Sequence, residues 1–324
     1  MCAAAFAAGA ASAQQQPIVM KLSTATLNDT QHEFMKRYVA AVEKDSGGRI
    51  KGEIYPASQL GPIPSQIQGT QFGSIQGWIG PPEFLVGVDA RFEVLSAPAL
   101  FESDAHAMKF VQDEAFTKEF FQAGAAKGLI GVGLFFSGPM AIDSRTPIRK
   151  LADLQGKKFR VLASPFQTEP LKILGATAVP MSLGDVLPAL QQGTIDGALS
   201  SVPVVTALRY YDAAKYNTVT AHQYVFSLAT ISKKWHDGLP ADLQKIVVDD
   251  GLKSAKEVIP WANDFIKAQE KVWTEKGGEL IKLSDAEQAE MMKKLANVGA
   301  DIVKSKPEIK PMYDAMVAAA KRDK

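Results

Sequence analysis

Twice along this chain the residue pattern alternates between the period of a strand and the period of a helix, and this double rhythm narrows the possible folds more than any other feature. In the first stretch Ile18, Met20 and Leu22 alternate with smaller or polar residues, as in a half-buried strand. Phe34, Tyr38, Ala41 and Val42 follow at helical spacing, and Gly47-Gly48 stops them. Residues 50–55 read as a strand, 63–72 as a weak helix and 75–80 as a third strand. The second stretch repeats the order. A strand over 157–163 carries Phe159 and Val161 on one face and Lys158 and Arg160 on the other. A helix over 166–174 ends at Gly175, and a short strand over 178–181, a helix over 183–192 and a strand over 194–199 follow. Strands joined by helical crossovers pair in parallel and are covered by the helices. The expected fold is therefore α/β, built as two lobes.

The last third is mostly helical. A helical pattern runs over 240–277 through Leu243, Ile246, Val247, Leu252, Val258, Phe265 and Val272. It is too long for an ordinary globular helix, and Pro260 is expected to kink or break it, because proline lacks the backbone donor and crowds the preceding turn. Ser284-Asp285-Ala286-Glu287 has the form of a capping box opening another helix. No repeat of the solenoid kind and no low-complexity linker interrupts the chain.

The first thirteen residues, MCAAAFAAGAASA, are uncharged, small and apolar, and close on Ala11-Ser12-Ala13. Small side chains at that spacing suit a signal peptidase, so residues 1–13 read as a signal-peptide remnant lacking its basic start, with Gln14 as the mature N-terminus in the periplasm. The alternative is an Ala-rich tail. Cys2 lies inside this segment and is the only cysteine. The mature chain would have no disulfide, no thiolate chemistry and no cysteine metal site, and would be at ease in an oxidising compartment.

Several functions are disfavoured. The formal net charge is +1 with no Lys/Arg cluster, which argues against nucleic acid as a partner. No apolar run reaches the length, about 18 residues, that spans a bilayer. His32, His106, His222 and His236 are scattered without metal-ligand spacing and read as surface or capping residues. No phosphate loop and no G-x-S-x-G elbow is present. Gly131-Val132-Gly133 lacks the third glycine of a dinucleotide fingerprint and reads as strand, and Asp249-Asp250 reads as the solvated face of a helix. We expect no cofactor, no metal and a monomer. An exported, two-lobed chain without a catalytic constellation reads as a binding protein, not an enzyme.

Several segments carry a family resemblance. They are Ser46-Gly47-Gly48-Arg49-Ile50 with Tyr55-Pro56-Ala57-Ser58-Gln59-Leu60-Gly61, Ala97-Pro98-Ala99-Leu100-Phe101, and Pro147-Ile148 followed by Ala152-Asp153-Leu154-Gln155-Gly156-Lys157-Lys158-Phe159-Arg160-Val161. Leu174-Gly175-Ala176, Pro180-Met181 and Ala189-Leu190-Gln191-Gln192-Gly193-Thr194-Ile195-Asp196-Gly197-Ala198 continue in order, and Lys233-Lys234-Trp235 with Leu239-Pro240-Ala241-Asp242-Leu243-Gln244 precedes the long helix. Together they resemble the DctP-type solute-binding component of tripartite ATP-independent periplasmic (TRAP) transporters. The resemblance implies a periplasmic-binding-protein-like fold whose two lobes close over a small organic acid and then dock on the membrane permease subunits, with a long helix crossing both lobes. It implies a first lobe of 14–137 plus about 226–265 and a second of 138–225 plus about 266–324.

Within that frame Arg160 is the leading ligand-binding candidate. An Arg on the polar face of a strand is ordinarily solvated or paired with a surface acid. This one lies at the carboxyl end of its strand, where α/β folds bind ligands, and guanidinium grips a carboxylate bidentately. It also occupies the position of the family's substrate-carboxylate arginine. Where some relatives that bind acidic sugars have a second arginine, this chain has Met140. Where many have an asparagine on the carboxylate, it has Ser200, or Ser201 in a register slipped by one. Both departures favour a monocarboxylate with an apolar, even aromatic, remainder over a dicarboxylate. Trp78, followed by Gly80-Pro81-Pro82, Phe136 beside Phe135 and Ser137, Phe166, Met181 and Leu183 are further candidates for the pocket, and for each of them ordinary core packing is the alternative.

An enzyme acting on a small acid would need a base or nucleophile beside Arg160, and the sequence offers none with a partner. An extracytoplasmic sensor or scavenger of the same fold would differ only in its partner. Given a complete signal, intact-mass measurement of the secreted protein should show a chain starting near Gln14. A mass that retains residues 1–13 would sink this assignment.

Overall fold

The structure, a computed structural model, describes residues 16–322. The signal-peptide segment and its expected cleavage point lie outside these residues. The strands are β1 (Ile18–Ser23), β2 (Ile50–Tyr55), β3 (Gly77–Gly80), β4 (Leu129–Ser144), β5 (Lys158–Val161), β6 (Thr177–Pro180), β7 (Gly197–Ser200), β8 (Tyr216–Ser232) and β9 (Glu279–Lys282). They form one sheet in the order β2-β1-β3-β8-β4-β7-β5-β6, with β9 also on β8.

The two rhythms of the sequence become two parallel groups. β1 pairs in parallel with β2 and β3, and β5 with β6 and β7. The helices between them are Thr30–Asp45 and Ile63–Phe72 in the first group, and Pro165–Ile173 and Val186–Gln192 in the second. Asp29 caps the first of these by accepting from the His32 amide at 3.1 Å.

The sheet as a whole is mixed, unlike the purely parallel sheets expected from the alternation. Its centre is the antiparallel pair β4–β8, of 16 and 17 residues, which runs through both groups. The far end of β8 pairs with β3, and the far end of β4 pairs with β7. The ladder slips between Gly131 and Gly133, between Phe136 and Gly138, and between Pro139 and Ala141. Gly138 has φ +126°, which a side chain rarely allows, and a Cβ there would lie 3.0 Å from the Cβ of Ser201. The glycines and proline that permit these slips also interrupt the strand pattern in the sequence.

The long helix is Ala241–Glu275. It packs on β4 and on helix Thr30–Asp45 at one end, and on Val202–Ala207 and β9 at the other. Leu243, Val247, Val258, Ile259, Ala262, Ile266 and Trp273 form its buried stripe, and Tyr38 donates its hydroxyl to the Val247 carbonyl at 2.8 Å. The expected break at Pro260 does not occur. Pro260 lies on the exposed face, so the Lys256 carbonyl that loses its donor meets water, and the buried stripe holds the helix on either side.

Polar ties join distant segments inside the core. Glu93 is fully buried, accepts from Lys306 Nζ at 2.6 Å and from Ser164 Oγ at 3.2 Å. Gln223 donates to the carbonyls of Ser96 and Phe166. Three readings of the sequence are corrected here. His106 and His222 are buried, so the surface alternative fails, while the capping one holds for His106. Its Nδ1 accepts from the Glu102 amide at 3.2 Å at the start of helix Asp104–Phe110 and its Nε2 meets the Ala320 carbonyl at 2.7 Å, and His222 Nδ1 meets Thr220 Oγ1 at 2.8 Å. Asp250 turns inward from the helix face, and burial together with Asp45 pushes its carboxyl up to about 6. Only half of the capping box forms. Ser284 accepts from the Glu287 amide, but the Glu287 carboxylate reaches the Leu151 amide at 2.6 Å instead of closing the box.

Gly251 shows how closely the long helix lies on the sheet. A Cβ there would fall 2.7 Å from the Val132 carbonyl oxygen, which is backbone and cannot swing aside. Gly→Ala in an exposed helix gains roughly 1 kcal/mol. Here overpacking should reverse the sign, and Gly251→Ala is expected to lower stability by about 1–3 kcal/mol in urea unfolding. A stabilised variant would contradict this packing.

Candidate functional site

One cavity lies where the two parallel groups and the β4–β8 pair meet. The first group contributes Trp78, Ile79 and Gly80 of β3, with Ala25, Thr26, Gln31 and Ile63. The second contributes Arg160, Leu162, Gln167, Leu199 and Ser200. The long strands supply Met140, Tyr224 and Val225. With its mouth the space is about 610 Å3. The carboxyl ends of β1, β3, β5 and β7 all point to this region, as expected for ligand sites in α/β sheets.

Arg160 is the electrostatic centre. It sits in β5 between Ala198 of β7 and Val179 of β6, and is only 3% exposed. The sequence reading put it on the same polar face as Lys158. Lys158 does reach solvent, whereas the cavity walls cover Arg160. Its Nε donates to the Met181 carbonyl at 3.0 Å, and its Nη2 is buried with no partner. Among the described residues no carboxylate forms an ion pair with it. Burial lowers its proton affinity, and the nearby Tyr210 opposes that. A guanidinium stays charged regardless, so the positive charge remains in a largely apolar enclosure.

Of the candidates from the sequence, Arg160, Met140, Ser200, Leu183 and Trp78 line this cavity. Met181, Phe166 and Phe136 do not. Met181 acts through its carbonyl on Arg160, while its side chain packs beside the Val186–Leu190 cluster. Phe166 is fully buried against Tyr313, with ring centroids 6.3 Å apart. Phe136 is fully buried behind Tyr224, at 5.8 Å. Phe136 and Phe166 fill space behind the wall, while Met181 is half-buried and lines a neighbouring open groove with Glu83, Phe84 and Leu162. Ser200 is the serine on the wall, while Ser201 precedes helix Val202–Ala207 with its Oγ buried.

Sequence reasoning missed Glu83, Thr26, Gln31, Gln167 and Tyr224. Glu83 follows the Gly80-Pro81-Pro82 loop directly, and an acid set beside an apolar loop was the available signal. Its carboxylate accepts from Ser96 Oγ through Oε1, while Oε2 is sealed from solvent without a partner. Burial pushes this carboxyl up to about 7. Tyr224 lies on β8, and burial, together with the Asp104 carboxylate that its phenol hydrogen-bonds, raises its proton affinity. Trp78 Nε1 is also buried without a partner, and the Thr26 side chain hydrogen-bonds the buried Asp29 carboxylate. The arrangement offers hydrogen-bond donors to an anion at Arg160 and an apolar wall to the rest of a small molecule. Among the described residues no cluster of His, Cys, Asp and Glu could hold a metal ion, and no helix is long and apolar enough to cross a membrane.

Comparison with known proteins agrees with this architecture. The chain is 28% identical over 295 residues to the 2,3-diketo-L-gulonate-binding periplasmic protein YiaO of Escherichia coli, covering 87% of this chain and 88% of that one. It is 31% identical over 207 residues to the uncharacterized protein YiiZ of Salmonella typhimurium, covering 64% of this chain and 63% of the relative's length. The crystal structure of a TRAP periplasmic solute-binding protein from Anaerococcus prevotii, with bound D-glucuronate, superposes with a TM-score of 0.86 at 25% identity, over 94% of this chain and 99% of that one. The model of the bacterial extracellular solute-binding protein family 7, DctP, matches residues 22–306, and the chain belongs to that family of two-lobed TRAP solute-binding proteins.

Proposed function

We propose that this protein is the periplasmic component of a TRAP transporter, capturing a small monocarboxylic acid at Arg160 and handing it to the membrane permease. The observation that carries the reading is a buried guanidinium whose Nη2 has no partner inside the protein. A charge so placed is costly unless an anion joins it. A ligand carboxylate supplies that anion and can engage the guanidinium through two parallel bonds. The lining contains no second cationic side chain, since Met140 faces the space, so the site offers one cation to one ligand carboxylate. The similar proteins named for 2,3-diketo-L-gulonate and solved with glucuronate support an acid as the ligand class.

The way the walls are assembled supports a hinged capture step. We place lobe I at 16–137 with about 226–265, and lobe II at 138–225 with about 266–305, the C-terminal helix Lys310–Arg322 lying on Asp104–Phe110 and Glu114–Phe120 of lobe I. The cavity draws residues from both, and β4 and β8 slip register at Phe136–Gly138 and Pro139–Ala141, at the boundary between the lobes. Bending there would bring Trp78 and Arg160 around one ligand. Export with cleavage after Ala13 would put the mature chain in the periplasm, where such capture takes place.

Three substitutions test the assignment. Arg160→Ala leaves the ligand carboxylate buried and unpaired, and breaking such a pair costs about 3–5 kcal/mol. Calorimetric titration with an acid that raises the melting temperature of the wild-type protein should then show Kd weakened roughly 10²–10⁴-fold. Arg160→Lys should also bind poorly, because an ammonium lacks the two-pronged geometry. Arg160→Met should abolish binding while raising the melting temperature of the ligand-free protein, since it removes an uncompensated buried charge. Near-wild-type affinity in a folded Arg160→Ala protein would overturn the reading.

A further inference from the structure

Three polar atoms on residues lining the cavity are buried and without partners: Arg160 Nη2, Trp78 Nε1 and Glu83 Oε2. The first two can donate a hydrogen bond. An ionised Glu83 can only accept. A binding site for an acid needs donors, so Arg160 and Trp78 fit the ligand class and Glu83 does not fit a carboxylate. It fits a second feature of the same molecule.

We propose that Glu83 is a specificity-determining residue, whose inward oxygen accepts a hydrogen bond from a hydroxyl or ammonium group on the ligand and which rejects ligands carrying a second carboxylate. The proposal rests on Arg160 holding the ligand's first carboxylate. The geometry is specific. Glu83 lies in the one-turn helix Pro82–Leu85, directly after the wall residue Pro81, and Ser96 Oγ holds its other oxygen. The carboxylate is therefore fixed at one oxygen and unpartnered at the other, on a residue that lines the enclosure. With the carboxyl lifted to about 7 by burial, the proton is loosely held near neutral pH, and a ligand donor captures the ionised form. A second ligand carboxylate would instead meet a like charge in a wall whose one guanidinium is already engaged. Charge balance points the same way. With Glu83 ionised, an amino acid opposite Arg160 leaves the enclosure neutral and a hydroxy acid leaves one negative charge, whereas a dicarboxylate leaves two.

The test compares matched acids on wild type, Glu83→Gln and Arg160→Met. The probes are γ-hydroxybutyrate and γ-aminobutyrate against succinate, glucuronate against glucarate, and para-hydroxyphenylacetate against para-carboxyphenylacetate. In thermal-shift and calorimetric titrations, wild type should bind the donor-bearing member of at least one set and bind its dicarboxylate far more weakly. Glu83→Gln keeps the shape and an acceptor for Ser96 but adds an amide donor. It should weaken the donor-bearing acid roughly ten- to hundredfold, the range of a lost charged hydrogen bond, and should bind the matched dicarboxylate better than wild type does. That gain cannot come from misfolding. If wild type binds a dicarboxylate as tightly as its hydroxy counterpart, or Glu83→Gln leaves the ranking unchanged, the Glu83 proposal fails. The Arg160 reading still stands in that case if Arg160→Met abolishes binding. If no probe binds wild type, the Arg160 reading fails and the Glu83 proposal falls with it.

Discussion

The antiparallel pairing of β4 with β8 is the constraint on which the rest of the structure depends. Each of the two parallel groups is a three-stranded unit with an edge that needs a partner. The long pair supplies both: β3 closes on one end of β8 and β7 on the far end of β4. A single hydrogen-bonded ladder thus sets where the carboxyl ends of the two groups meet. The cavity forms at that meeting because loops, not strands, leave the sheet there. The register slips near Phe136–Ala141 fall beside the wall residues Met140, Tyr224 and Val225. The same irregularity that bends the ladder therefore shapes the site. The long helix braces the arrangement from behind, since its stripe touches β4, helix Thr30–Asp45 and Val202–Ala207 together.

Enclosure then decides the chemistry. Most of the lining is aliphatic or aromatic, and such a wall gives little specificity by itself. The low-dielectric surroundings raise the worth of each polar group that is correctly matched and the cost of each that is not. Arg160 and Glu83 respond in opposite ways to the same burial. The guanidinium cannot shed its proton, so it retains a demand for an anion. The carboxyl takes up a proton with ease, so it tolerates isolation and turns into an acceptor when a donor arrives. One cavity can therefore hold both charges without joining them to each other.

The sequence was informative wherever local periodicity and local chemistry coincide. The strands before and after helix Thr30–Asp45, the helix 63–72 and the long helix stand close to their expected bounds, because each is set by its own apolar spacing and stop signals. The central pair was less legible. Gly131, Gly133, Gly138 and Pro139 interrupt the alternation of β4, and its partner β8 lies far along the chain, so no local pattern announces the pairing. At the site, an Arg on the polar face of a strand has ordinary solvated roles, and Arg160 stood out through its place at the carboxyl end of a parallel strand, the fit of guanidinium to a carboxylate and the family resemblance. Phe136 and Phe166 could not be told from wall residues, since a core ring and a wall ring have the same spacing. Glu83 and Tyr224 were missed for the opposite reason: their position depends on how a loop and β8 fold over the cavity. The burial of His106 likewise comes with a distant partner, the Ala320 carbonyl, whereas His222 meets the hydroxyl of Thr220, two residues away on β8.

The unpartnered groups around the cavity link stability to function. Trp78 Nε1, Arg160 Nη2 and Glu83 Oε2 each lower the stability of the ligand-free fold, because a buried polar atom without a partner forfeits its hydration. A packed apolar core, the β4–β8 ladder and the Glu93–Lys306–Ser164 tie offset that cost elsewhere. A ligand that satisfies these groups recovers the lost interactions at once, and recovers them only in the enclosed arrangement where walls from both strand groups reach it. The free energy of recognition is then the same free energy that favours enclosure. Selectivity follows from this coupling, since a molecule that leaves Glu83 opposed or Arg160 unmatched gives up part of the drive to close around it.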